Sequence, residues 1–127
     1  MGSTPDTAPL NGKRVMIVED EFLVAMELES ELTDQGCVVI GPAGRAAPAF
    51  ALLEDQRPDA VLLDINLDGE TTAALAEALT RRRVPFIVVT GYDLRRQEPA
   101  ILRDAPRVQK PVRKPELLAA LTEAMAA

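Results

Sequence analysis

Apolar residues in this chain come in short unbroken runs separated by longer stretches with helical spacing. The runs are Val15–Val18, Cys37–Ile40, Ala60–Leu63, Phe86–Val89 and a weaker one around Val108. Four of the five are built from Val, Ile and Leu without polar alternation, as expected of strands covered on both faces. Between the first two runs, residues 21–35 place Ala25, Leu28 and Leu32 on one helical face and stop at Gly36. Ala- and Leu-rich segments near 45–56, 70–83 and 94–104 predict three more helices. A fifth, over 115–126, opens with Pro115 in its first turn and turns Leu117, Leu118, Leu121 and Met125 inward. Gly41, Pro42 and Gly44 break the chain after the second run, and Gly69 after the third. Strands alternating with helices predict right-handed crossovers and a parallel sheet with helices on both faces, an α/β fold. Residues 1–12 are polar, Pro-containing and aperiodic, and predict a flexible tail ahead of one domain over 13–127.

Composition narrows the chemistry. Aromatic residues are only 3% of the chain, so the core must come from aliphatic side chains. The single cysteine, Cys37, excludes a disulfide framework and reads as a small buried hydrophobe. There is no histidine, which removes a Ser/His/Asp triad, a His-rich zinc site and a phosphohistidine from this chain. The net charge is −6, split between an acidic first part (14 acidic, 4 basic over residues 1–70) and a basic remainder (6 acidic, 10 basic). An acidic domain is a poor direct ligand for nucleic acid. No apolar run approaches the roughly 20 residues of a membrane helix, and no signal-peptide order is seen. The expected setting is therefore cytoplasmic, with neither membrane nor nucleic acid as a direct partner.

In open parallel sheets ligands sit beyond the carboxyl ends of the strands, so the residues that end each run matter most. The first runs into Glu19-Asp20-Glu21, the third ends at Asp64, the fourth at Thr90-Gly91 and the fifth at Lys110-Pro111. Convergence of Glu19, Asp20 and Asp64 raises carboxylate pKa values unless a cation compensates. A hard divalent ion with oxygen ligands is the natural remedy, and Mg²⁺ suits a site that also holds phosphate. Lys110 adds a point charge and Thr90 a hydroxyl donor. A carboxylate so surrounded is equipped to attack phosphorus in line. Each residue also has an ordinary reading: Asp64 as a turn residue, the acidic triplet as a helix N-terminal cluster, Lys110 as a solvated lysine. Their co-occurrence at four neighbouring strand ends favours function.

Val18-Glu19-Asp20-Glu21, Leu63-Asp64-Ile65-Asn66-Leu67, Val89-Thr90-Gly91 and Lys110-Pro111, in that order, resemble the receiver domain of two-component response regulators over residues 13–126. The resemblance implies a flavodoxin-like (βα)5 fold with strand order 2-1-3-4-5. It implies phosphorylation of Asp64 by a sensor histidine kinase or phosphotransfer protein, with catalysis of nothing beyond the domain's own phosphorylation and dephosphorylation. Mg²⁺ would be held by Asp20, Asp64 and the Asn66 carbonyl, with Glu19 acting through water; Thr90 and Lys110 would contact the phosphoryl group. A cis Lys110–Pro111 bond is implied, as are a downstream protein target and a monomer or phosphorylation-dependent dimer. The chain departs from the commonest pattern at Arg107, where many relatives carry an aromatic switch residue, and at Val112. Thr90-Gly91-Tyr92 resembles a receiver subgroup in which Tyr92 would take part in signalling. Arg95, Arg96, Arg103, Arg107, Arg113 and Lys114 surround the implied signalling face, whereas Arg81–Arg83 read as cations at a helix C-terminus.

Two other functions fit parts of the pattern. A haloacid-dehalogenase-like phosphatase also uses an Asp nucleophile with Thr, Lys and Mg²⁺. It wants a second Asp where Asn66 stands, and a nucleophile after the first strand rather than the third. A receiver-shaped module that signals without phosphorylation would be expected to lose part of the acidic, Thr and Lys set, which is filled here.

Overall fold

Successive residues of a strand turn to opposite faces of its sheet, and in this chain both faces are apolar. In the computed structural model, which describes residues 10–91 and 97–126, β1 (Arg14–Val18) sends Val15 and Ile17 to one core and Met16 and Val18 to the other. The chain continues as α1 (Phe22–Asp34), β2 (Val38–Ala43), α2 (Ala46–Gln56) and β3 (Ala60–Asp64). Then come β4 (Asn66–Leu67), β5 (Glu70–Thr71), α3 (Ala73–Arg81), β6 (Phe86–Thr90), α4 (Ala100–Arg103), β7 (Arg107–Gln109) and α5 (Lys114–Ala126). The five long strands form one parallel sheet in the order β2-β1-β3-β6-β7, which is the expected 2-1-3-4-5 topology once the β4–β5 pair is set aside.

Helices α1 and α5 cover one face, where Leu28, Leu32, Leu117 and Leu121 pack on Ile17, Leu62 and Ile87. Helices α2, α3 and α4 cover the other through Leu53, Leu75, Leu79 and Leu102 against Met16, Leu63 and Val88. Among the described residues, no helix is long and apolar enough to cross a membrane.

Three local readings need correction. The helix expected near 70–83 starts only at Ala73, because Asn66–Thr71 form a small antiparallel hairpin. Its turn is Asp68-Gly69, both left-handed (φ 50° and 88°), which is the Asp-Gly signature of a two-residue hairpin. Of the helix expected over 94–104, residues 94–96 lie outside the described residues, and the rest is helical over Ala100–Arg103, preceded by extended Pro99 (ψ 146°). Proline restricts the residue before it to extended conformations, so Glu98 cannot continue a helix into Pro99. Finally, the last residues of the expected tail are docked onto the domain. Leu10 is buried beside Ile17 and Leu32, Gly12 N donates to Gly36 O at 2.8 Å, and Cys37 Sγ lies 3.5 Å from Leu10 O. Gly36 (φ 82°) permits this closure, since a Cβ there would collide with Asn11 Oδ1.

Leu10→Ala should therefore behave as a core truncation and not as a tail change. The expected loss is about 2–4 kcal/mol of unfolding free energy, read from urea denaturation with an unchanged m-value.

Candidate functional site

Strand register decides which side chains meet. Val18 pairs with Leu63, Asp64 with Val89, and Thr90 with Gln109. The residues at or just beyond these pairs, Glu19, Asp64, Thr90 and Lys110, consequently stand abreast on the carboxyl edge. Asp20, Asp64, Asn66, Thr90 and Lys110 line a cleft of about 490 Å³, and Glu19 is buried (3% exposed). One carboxylate oxygen from each of Glu19, Asp20 and Asp64 lies within 4.8 Å of the others.

Lys110 is the cation of this group. Its Nζ donates to Glu21 Oε1 at 2.5 Å and Glu19 Oε2 at 3.2 Å, and stands 3.6 Å from Asp64 Oδ2. Its backbone N donates to Thr90 O at 2.8 Å, and the Lys110–Pro111 bond is cis, as expected. Burial, followed by the charge of Asp64, pushes the Glu19 carboxyl up to about 7. Burial also raises Asp64, with a further upward push from Asp20 that Lys110 and Glu19 oppose. Burial alone would lower Lys110, but its bond to Glu21 and the charges of Asp64 and Glu19 raise it above the ordinary lysine value.

Such a set fits a hard divalent cation. All three donors are carboxylate oxygens, burial raises the pKa of Glu19 and Asp64, and buried Glu19 Oε1 has no hydrogen-bond partner among the described residues. The hairpin and α3 hold the set in place. Asp68 N donates to Asp20 Oδ2 at 2.9 Å, and buried Thr72 Oγ1 lies 2.6 Å from Asp64 O and 3.0 Å from Ile65 O.

Comparison with known proteins agrees with this geometry. Residues 15–122 match the family described as the response regulator receiver domain. The chain belongs to the response-regulator receiver family. It is 34% identical over 97 residues to the transcriptional regulatory protein PdtaR of Mycobacterium tuberculosis, covering 74% of this chain and 46% of that protein. It is 34% identical over 119 residues to the phyllosphere-induced regulator PhyR of Methylorubrum extorquens, covering 87% and 43%. The solution structure of SdrG from Sphingomonas melonis Fr1 superposes with a TM-score of 0.79 at 36% identity, covering 91% of this chain and 98% of that one. The chain spans about half the length of the curated relatives it matches. The matching family is the receiver domain of two-component signalling.

Within this receiver, the expected residues Glu19, Asp20, Asp64, Asn66, Thr90 and Lys110 come together, and Tyr92 lies outside the described residues. Arg107 is the surprise. Its Nη1 and Nη2 donate to Glu98 at 3.1 and 2.6 Å, with both side chains more than nine-tenths buried. Sequence reasoning passed over Glu98 and Thr72, and quoted Glu21 and Gly69 without giving them a role in the site. An arginine inside a predicted strand calls for an acidic partner, but nothing near Glu98 marks it as that partner.

The raised Glu19 carboxyl makes a signed prediction. A group whose folded pKa lies above its unfolded value of about 4.5 stabilises the fold below that pH and loses the contribution as pH rises through about 7. In chelator, unfolding free energy should fall between pH 5 and 8, with Glu19 contributing at most about 3 kcal/mol. Glu19→Gln should flatten that slope; an unchanged slope in denaturation at several pH values would contradict the assignment.

Proposed function

We propose that this receiver is phosphorylated on Asp64 by a sensor histidine kinase or a histidine-bearing phosphotransfer protein, and that the change switches its binding to a downstream protein. One observation carries the reading: the Asp64 carboxylate shares a cleft with two further carboxylates within 4.8 Å and has an ammonium 3.6 Å away. A lone strand-end Asp has no need of such surroundings, whereas a phosphoryl acceptor needs all of them.

In this reading Asp20, Asp64 and the Asn66 carbonyl hold Mg²⁺, with Glu19 acting through water; when bound there the ion neutralises charge on the transferring oxygens. An Asp64 oxygen attacks the phosphorus in line. The P–N bond of the donor's phosphohistidine breaks, and its electron pair returns to the imidazole nitrogen. Lys110 exchanges a carboxylate contact for a phosphoryl oxygen, and the Thr90 hydroxyl donates to another. The donor histidine belongs to the partner, since this chain has none. The setting is cytoplasmic, and the domain acts as a monomer or as a phosphorylation-dependent dimer.

The rival readings fare less well. Asn66 carries no acidic proton for the phosphatase mechanism, and Asp64 ends the third strand of the chain. A phosphorylation-independent module would have no use for a cluster that destabilises its own carboxylates.

Incubation with acetyl phosphate and Mg²⁺ should give a phosphoryl-mass adduct on the intact protein that is absent in Asp64→Asn and absent in chelator. An unmodified wild type whose amide spectrum also ignores beryllofluoride would overturn the proposal. Mg²⁺ should also raise the melting temperature more at pH 8 than at pH 6, because Glu19 must lose its proton to serve the ion. Equal shifts at both pH values, measured by thermal denaturation, would remove Glu19 from the site.

A further inference from the structure

The hydroxyl of a threonine that caps a helix ordinarily accepts from an N–H of the first turn, which otherwise lacks a partner. Thr72 caps α3 and its side chain makes no such bond. It is turned the other way, into the protein (2% exposed), with Oγ1 2.6 Å from Asp64 O and 3.0 Å from Ile65 O. Ile65 O already accepts from Thr72 N at 2.9 Å, so the single hydroxyl proton goes to the nearer acceptor, the Asp64 carbonyl. Thr71 serves the helix instead, its Oγ1 accepting from Ala73 N at 3.3 Å. A buried donor is thus withdrawn from its own helix and given to the backbone of the residue that ends β3.

That bond extends the hairpin's ladder. Leu67 pairs with Glu70, Asn66 pairs with Thr71, and Thr72 N bonds Ile65 O. Antiparallel pairs alternate between bonded and unbonded, so Asn66–Thr71 is an unbonded pair. The N–H and C=O of Asn66 therefore leave the strand on the side away from Thr71, and Asn66 lines the cleft. Burial raises the Asp64 carboxyl, and the Asn66 N–H is among the groups that oppose the rise. On the β1 side the sheet ladder ends at Val18–Leu63, one residue short of Asp64. The chain leaves the sheet there, and the Thr72 hydroxyl holds the exit.

We propose that Thr72 is a positioning residue for the Asp64 site: by holding the Asp64 carbonyl it sets the course of residues 64–66, and with it the Asn66 carbonyl offered to Mg²⁺. The inference rests on the phosphorylation reading above. Thr72 acts through the backbone of Asp64 and contacts neither the ion nor the phosphoryl group.

The test compares Thr72→Val, which keeps the shape and loses the hydroxyl, with Thr72→Ser, which keeps the hydroxyl. Mg²⁺ titrations followed by the Asn66 amide give the dissociation constant of the folded protein, and urea denaturation gives its stability. Thr72→Val should bind Mg²⁺ about tenfold more weakly than wild type, the scale of groups that orient a metal's ligands from behind. It should also form the acetyl phosphate adduct more slowly at saturating Mg²⁺. Thr72→Ser should return both to near their wild-type values. A hydroxyl that merely stabilised the fold would lower the urea midpoint of Thr72→Val and leave its Mg²⁺ constant unchanged. That result would overturn the proposal, as would a Thr72→Ser as weak as Thr72→Val. Should Thr72→Val fail to fold, Thr72→Ala carries the same expectation and the same refutation. A wild type whose Asn66 amide ignores both Mg²⁺ and beryllofluoride would instead sink the phosphorylation reading.

Discussion

The ammonium of Lys110 stands among the carboxylates of Glu19, Glu21 and Asp64 and cannot neutralise them all, and Asp20 adds a further charge to the same edge. Left to themselves these groups would separate. They are held together because Glu19 follows and Asp64 ends a strand buried on both faces, so neither can slip register without turning apolar residues outward. The hydrophobic sheet thus bears the electrostatic cost of the site. The raised pKa values of Glu19 and Asp64 are the visible part of that cost.

The loops show the same division of labour. A left-handed Asp68-Gly69 turn folds the chain back after β3, so that Asp68 N meets Asp20 while Thr72 bonds the carbonyls of Asp64 and Ile65. These contacts are neutral donors aimed at a carboxylate or at its backbone. They orient the acids without neutralising them, and leave the cluster's excess charge to be met by a cation or a proton.

Much of this was legible in the sequence, and for a physical reason. Strands buried on both faces leave continuous runs of Val, Ile and Leu, so Val15–Val18 and Phe86–Val89 stand out, and the polar residue ending each run is then a strand-end residue by construction. Short-range features were harder. Asp68-Gly69 carries an explicit hairpin signature, but two-residue strands have no periodicity to accompany it. Leu10 was hidden by its setting, a single apolar residue among polar neighbours whose burial depends on the distant Gly36 turn. The partner of Arg107 was beyond reach for the same reason: nothing local to Glu98 marks it as buried, and only the fold brings the two together.

The helices are not all held to the sheet in the same way. Helices α1, α2, α3 and α5 are held by Leu28, Leu53, Leu79 and Leu121 and their neighbours, contacts that a distant charge leaves unaltered. The segment around α4 is different, because a single guanidinium gathers Glu98 and the last carbonyls of the helix onto β7. That strand also delivers Lys110, whose backbone bonds Thr90. The lysine that answers the carboxylate cluster therefore directly follows the short strand that carries Arg107.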